Sequence, residues 1–198
     1  MNVTRGNGAL ESFLAGQRAK LADALIPDAS RSGRILDVGC GSFPHFLVST
    51  RFHEKHGLDK VLDADMGRYQ GEDILIKNHD MEAGVHLPYT DGYFDIVTML
   101  AVFEHIEPAR LVGTLREIHR VLRPGGSYIL TTPAAWTDRL LRIMARLGLV
   151  SKEEIEEHKD TYNHGKIIRL LKAAGFSDEN IQCGYFEAYM NLWLKAGK

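Results

Sequence analysis

The spacing of hydrophobic positions changes several times along the chain, and each change marks an element. Over residues 9–26, Leu10, Phe13, Leu14, Leu21 and Leu25 recur at helical spacing, with Arg18, Lys20 and Asp23 between them. That pattern predicts an amphipathic helix, which Pro27 stops. Arg34-Ile35-Leu36-Asp37-Val38-Gly39 is a short apolar run ending in a glycine turn, the pattern of a buried parallel strand. A short helix is expected near residues 46–49, followed by strands at 56–59, 74–76 and 94–99. Leu111, Leu115, Ile118, Val121 and Leu122 restore the helical period over residues 109–122, and Pro124-Gly125-Gly126 predicts a sharp stop. Residues 127–132 read as a fifth strand, 136–149 and 167–174 as helices, and 181–187 and 189–194 as closing strands. Gly175 is the expected residue just past the last helix.

This alternation predicts an α/β protein with an open, doubly wound, mostly parallel sheet and helices on both faces. In such sheets ligands bind beyond the carboxyl ends of the strands. A length of 198 residues fits a single domain spanning 1–198. The chain is 44% hydrophobic and 25% charged, which excludes the disordered and fibrous classes. A net charge of −2 gives no global case for nucleic acid or an anionic membrane surface as a partner. Two cysteines, Cys40 and Cys183, cannot form a disulfide framework, and a cytoplasmic location is expected. Residues 1–8 lack the apolar core of a signal peptide, and no membrane span is expected.

The candidate chemistry lies at predicted strand ends. Asp37-Val38-Gly39-Cys40-Gly41 offers a tight turn and close backbone approach to a ligand. Asp59 lies 20 residues after Gly39, where nucleoside-binding sheets place an acid for the ribose hydroxyls; Asp63 and Asp65 are rivals. The dinucleotide fingerprint is incomplete because its sixth position is Pro44. Further blocks are Asn78-His79-Asp80-Met81, the run from Leu87 to Asp95, Ala101-Val102-Phe103-Glu104-His105, and Leu122-Arg123-Pro124-Gly125-Gly126.

In this order and spacing, the blocks over residues 34–133 resemble class I S-adenosylmethionine-dependent methyltransferases, closest to the small-molecule and quinone-biosynthesis group. The resemblance implies a Rossmann-like, seven-stranded sheet ending in an antiparallel hairpin, and S-adenosylmethionine as cofactor. It assigns Asp37, Gly39, Cys40 and Gly41 to the methionine end of the cofactor and Asp59 to the ribose. Asp80 reads the adenine amino group, Met81 flanks the ring, and Leu100 and Ala101 contact the amino-acid portion. Phe43 stands where the family carries a third glycine. Some relatives bind a divalent ion through Glu-x-x-Glu-His; here Ala101 replaces the first ligand, so no metal is expected. His105 is the candidate general base, since imidazole titrates near neutrality.

Two segments remain for the acceptor. The helix at 9–26 and the inserted stretch 133–165 have apolar faces, and the second carries Trp136, His158, Tyr162 and His164. They are expected to enclose a small, partly apolar acceptor molecule. Three other classes stay open: an NAD-type oxidoreductase sharing the sheet, a non-catalytic cofactor-binding module, and a nucleic-acid methyltransferase, whose basic face the net charge of −2 does not support.

Overall fold

The computed structural model describes residues 11–60, 73–81, 84, 86–137 and 159–198. Most of the helix expected at 136–149, together with Asp63, Asp65 and His158, lies outside them. The elements in chain order are α1 (Glu11–Leu25), β1 (Arg34–Val38), α2 (His45–Ser49), β2 (Glu54–Asp59), β3 (Ile74–Asn78), β4 (Phe94–Leu100), α3 (Pro108–Val121), β5 (Leu122–Pro133), α4 (His164–Ala174), β6 (Ile181–Phe186) and β7 (Asn191–Gly197). They form a seven-stranded sheet of order β3-β2-β1-β4-β5-β7-β6. β1 to β5 pair in parallel where they are neighbours, and β7 runs antiparallel to both β5 and β6. The order reverses between β2-β1 and β4, so the switch point lies beyond the ends of β1 and β4.

Period-two alternation divides the core between the two faces. Leu36, Val38, Val97, Met99, Tyr128 and Leu130 pack with α3 and α4. Ile35, Ile96 and Ile129 pack on the other face with Ala19 and Ala22 of α1 and Phe46 and Leu47 of α2. The buried stripe of α1 therefore differs from the expected one. Ala19, Ala22 and Ile26 are buried, whereas Phe13 is 60% exposed. Small side chains let the helix axis approach the sheet; Leu25 of the expected stripe packs against the same cluster, whereas Phe13 points to solvent.

Two other boundaries moved. Val121 ends α3 and Leu122 already pairs with Phe94, so Pro124-Gly125-Gly126 forms an irregularity inside β5 rather than a loop before it. The last hairpin turns through Glu187, Ala188 and Tyr189, all at positive φ, which delays β7 to Asn191. The helix ends follow local chemistry. The Asn163 side chain accepts the Lys166 N–H at the start of α4, and Gly175 closes it at φ 109°.

Asp95, near the start of β4, ties three segments together. Its carboxylate accepts the Arg34 N–H at 2.7 Å and Arg123 Nε at 2.5 Å. A methyl group built on Gly33 would meet that carboxylate at 2.0 Å. Gly33→Ala should therefore destabilise the fold by about 1–3 kcal/mol, the usual cost of overpacking. Urea unfolding measures it, and an unchanged midpoint would show that Asp95 can move without loss.

Candidate functional site

A cavity of about 490 Å³ opens at the carboxyl ends of β1 to β4. Asp37, Gly39, Cys40, Gly41, Asp59, Asp80, Met81, Leu100, Ala101 and His105 all line it. These residues come from four separate stretches of chain, and parallel register is what brings them to one place.

The floor is a glycine turn stitched to β2. The Gly39 and Cys40 N–H groups donate to the Leu58 carbonyl at 2.7 and 3.2 Å. Gly41 N–H donates to Asp59 Oδ2 at 2.6 Å. Gly39 and Gly41 have φ of 77° and 74°, a conformation that costs an L side chain about 1–2 kcal/mol. At Gly39 a Cβ would also come within 2.3 Å of Val102 Cγ2. Only a glycine keeps this part of the cavity open. Asp59 thus has a second task beyond any ribose: one of its oxygens clamps the turn.

Asp37 is buried at the end of β1. Register sets it opposite Thr98 of β4, whose hydroxyl donates to Asp37 Oδ1 at 2.6 Å. Burial pushes its carboxyl up to about 7; the Thr98 bond opposes this, and the neighbouring Asp59 charge adds to it. Farther along, Asp80 forms an ion pair with Lys60 at 2.6 Å, and the His79 N–H bonds the Asp59 carbonyl at 2.9 Å.

Ala101 stands at φ 55° where β4 gives way to a 3₁₀ turn at Phe103–His105. Its N–H bonds the Thr131 carbonyl at 3.0 Å, which holds the turn against β5. Glu104 is buried, and its Oε2 accepts the Thr132 hydroxyl at 2.9 Å. Among the described residues no group of three or more His, Cys, Asp and Glu side chains is arranged to hold a metal ion.

Sequence reasoning overlooked several wall residues. Ala15, Arg18 and Ala19 of α1 line the cavity, as do Lys60 and Lys159. Arg18 falls on the polar side of the expected helix; it becomes visible only once Ala15, Ala19 and Ala22 are read as the inner stripe. Lys159 gives no local signal, because its N–H bond to the Glu104 carbonyl joins distant segments. Conversely, His164 is not among the lining residues: Nε2 bonds the Gly184 carbonyl at 2.9 Å and the ring packs on Tyr185. Tyr162 is buried against Phe103, and Trp136 is exposed with its indole N–H on the Tyr189 carbonyl.

Gly39→Ala should disturb both the backbone and the cavity. Its expected effect is a loss of S-adenosylhomocysteine affinity, with Gly39→Ala/Val102→Ala recovering only part, since the second change relieves the clash but not the φ strain. Calorimetric titration of the two variants decides it; equal affinity to the parent would sink the argument.

Comparison with known proteins agrees with this geometry. A methyltransferase-domain family model matches residues 10–181. A ubiquinone biosynthesis O-methyltransferase of Aeromonas salmonicida is 28% identical over 182 residues, covering 83% of this chain and 71% of that protein. A ubiquinone biosynthesis O-methyltransferase of Pseudomonas aeruginosa is 30% identical over 111 residues, covering 50% of this chain but only 44% of its own length. A crystal structure of a SAM-dependent methyltransferase from Thermotoga maritima shares the fold with a TM-score of 0.70 at 16% identity, over 94% of this chain and 90% of that one. The family match, over most of the chain and including every strand end that lines the cavity, shows that this protein belongs to the class I S-adenosylmethionine-dependent methyltransferases.

Proposed function

We propose that this cavity holds S-adenosylmethionine against a small-molecule acceptor, and that the wall from α1 and from the 102–106 and 159 segments selects the acceptor. The observation that carries the reading is the convergence of the glycine turn, the Asp59 and Asp80 carboxylates and the β4 exit on one cavity. The residues suit the cofactor chemically. Asp37 suits the ammonium, Asp59 the ribose, and Asp80 the adenine amino group, with Met81 and Leu100 as apolar cover. Arg18 supplies a guanidinium, with Nε donating to the Leu14 carbonyl of its own helix at 3.3 Å, and it suits the cofactor's carboxylate.

Bound there, the cofactor supplies an already activated methyl group on a sulfonium. What remains for the chain is positioning. Gly39 and Gly41 let the backbone approach, Asp59 holds the turn rigid, and the apolar walls exclude water. His105 can take a proton at a ring nitrogen when the acceptor must lose one. The cysteines support a reducing, cytoplasmic setting: Cys40 is buried, Cys183 is exposed, and both are free thiols. Among the described residues no helix is long and apolar enough to cross a membrane.

Asp59→Ala should weaken S-adenosylhomocysteine binding by about tenfold to a hundredfold, through loss of charge-assisted hydrogen bonds. Unchanged affinity on calorimetry would move the ribose contact to Asp63 or Asp65.

Asp37 gives a pH signature. With the cavity empty its carboxyl stays protonated up to about pH 7, and only the ionised form attracts an ammonium. Binding below pH 7 should therefore release a proton. Affinity for S-adenosylhomocysteine should rise with pH up to about 7 and level off above it. Titrations in buffers of different ionisation enthalpy count the proton. Asp37→Asn should abolish the release; a flat parent profile across pH 5.5–7 would contradict the assignment.

A further inference from the structure

Charge is divided unevenly around the cavity. Among the described residues, every carboxylate in its wall stands at or just past a strand end: Asp37, Asp59 and Asp80. Another part of the wall, formed by Val102, His105, Ile106 and Lys159, contributes no lining carboxylate among the described residues; Glu104, in the same stretch, is buried and bonded to Thr132. That part offers two apolar side chains, the His105 imidazole and the Lys159 ammonium.

Lys159 is held there by its backbone. Its N–H donates to the Glu104 carbonyl at 2.8 Å, which fixes it one residue away from His105 on the 3₁₀ turn. Glu104 is in turn anchored to β5 through Thr132. The ammonium itself is only loosely engaged. Glu107 Oε1 lies 3.4 Å from Nζ, and both side chains are largely exposed, at 41% and 49%. A pair of that kind adds little net energy and yields readily to a better partner. Glu107 is not among the lining residues, so an anionic group reaching Nζ from the cavity would compete with it for the ammonium.

This asymmetry bears on the acceptor. A cationic acceptor would approach a sulfonium and a lysine together, with Glu107, which is not a lining residue, paired to that lysine. An anionic one would be attracted by both. Building on the methyl-transfer reading above, we propose that Lys159 is a specificity-determining residue, and that the acceptor carries an anionic oxygen group, a carboxylate or a phosphate, which pairs with its ammonium. Val102 and Ile106 cover the apolar part of the acceptor, and His105 stands beside the group to be methylated.

The test uses the full chain saturated with S-adenosylhomocysteine, titrated calorimetrically with benzoate, phenyl phosphate and benzylamine. One of the two anions should bind and benzylamine should not; whichever anion binds more tightly tells carboxylate from phosphate. Lys159→Met should weaken the anion by about tenfold while leaving S-adenosylhomocysteine affinity unchanged, and Lys159→Arg should retain it. Glu107→Gln should bind the anion equally or more tightly. Preference for benzylamine, binding of neither anion, or an anion affinity indifferent to Lys159→Met overturns the proposal. Failure of the parent chain to bind S-adenosylhomocysteine would instead overturn the methyl-transfer reading on which the proposal rests.

Discussion

The hydrogen bond from Gly41 N–H to the Asp59 carboxylate is the constraint on which the site depends. Two parallel strands end side by side, and each leaves backbone groups that pairing no longer satisfies. Here the Leu58 carbonyl takes the Gly39 and Cys40 N–H groups, and the Asp59 side chain takes the next one. The glycine turn is thereby closed before any ligand arrives. An acid that serves only the ribose could be replaced by any acceptor of similar reach. An acid that also sets the loop cannot move without opening the cavity floor.

From that turn the rest follows by register. Asp37 meets Thr98 because β1 and β4 pair in parallel at that step. Ala101 is turned into the left-handed region because its N–H is held by Thr131 of β5. The 3₁₀ turn that follows carries His105 into the wall, and it receives Lys159 on its Glu104 carbonyl. Distance from the turn also orders the chemistry. Buried carboxylates lie near the strand ends, and the basic groups Arg18 and Lys159 arrive from segments laid over them.

The sheet and the strand-end blocks that meet in the cavity were readable because both are local. Strand runs such as Phe94–Leu100 and the helix Pro108–Val121 announce themselves by period, and the strand-end blocks carry their meaning in a few adjacent residues. The readings failed where a preference was outvoted by packing. Leu10, Phe13, Leu14, Leu21 and Leu25 suggested the buried face of α1; Leu25 does pack on the core, but Phe13 is exposed and the sheet accepts the helix through Ala19 and Ala22, because a small contact permits close approach. Pro124-Gly125-Gly126 looked like a stop. It became part of β5 because Leu122 had already entered register with Phe94. His164 looked available for chemistry until the Gly184 carbonyl, 20 residues on, was seen to hold it.

The wall residues contributed from outside the strand ends were least legible for a related reason. Arg18 and Lys159 are neither periodic nor adjacent in sequence, and they line one cavity only through the fold. Two forces shape such a wall. Apolar area buries a ligand without much regard to its identity, whereas a charge discriminates by sign, and the more so the less solvent screens it. The charges enter the cavity by two routes: Asp37, Asp59 and Asp80 stand at or just past strand ends, with Lys60 paired to Asp80, whereas Arg18 comes from α1 and Lys159 from the segment bonded to the Glu104 carbonyl.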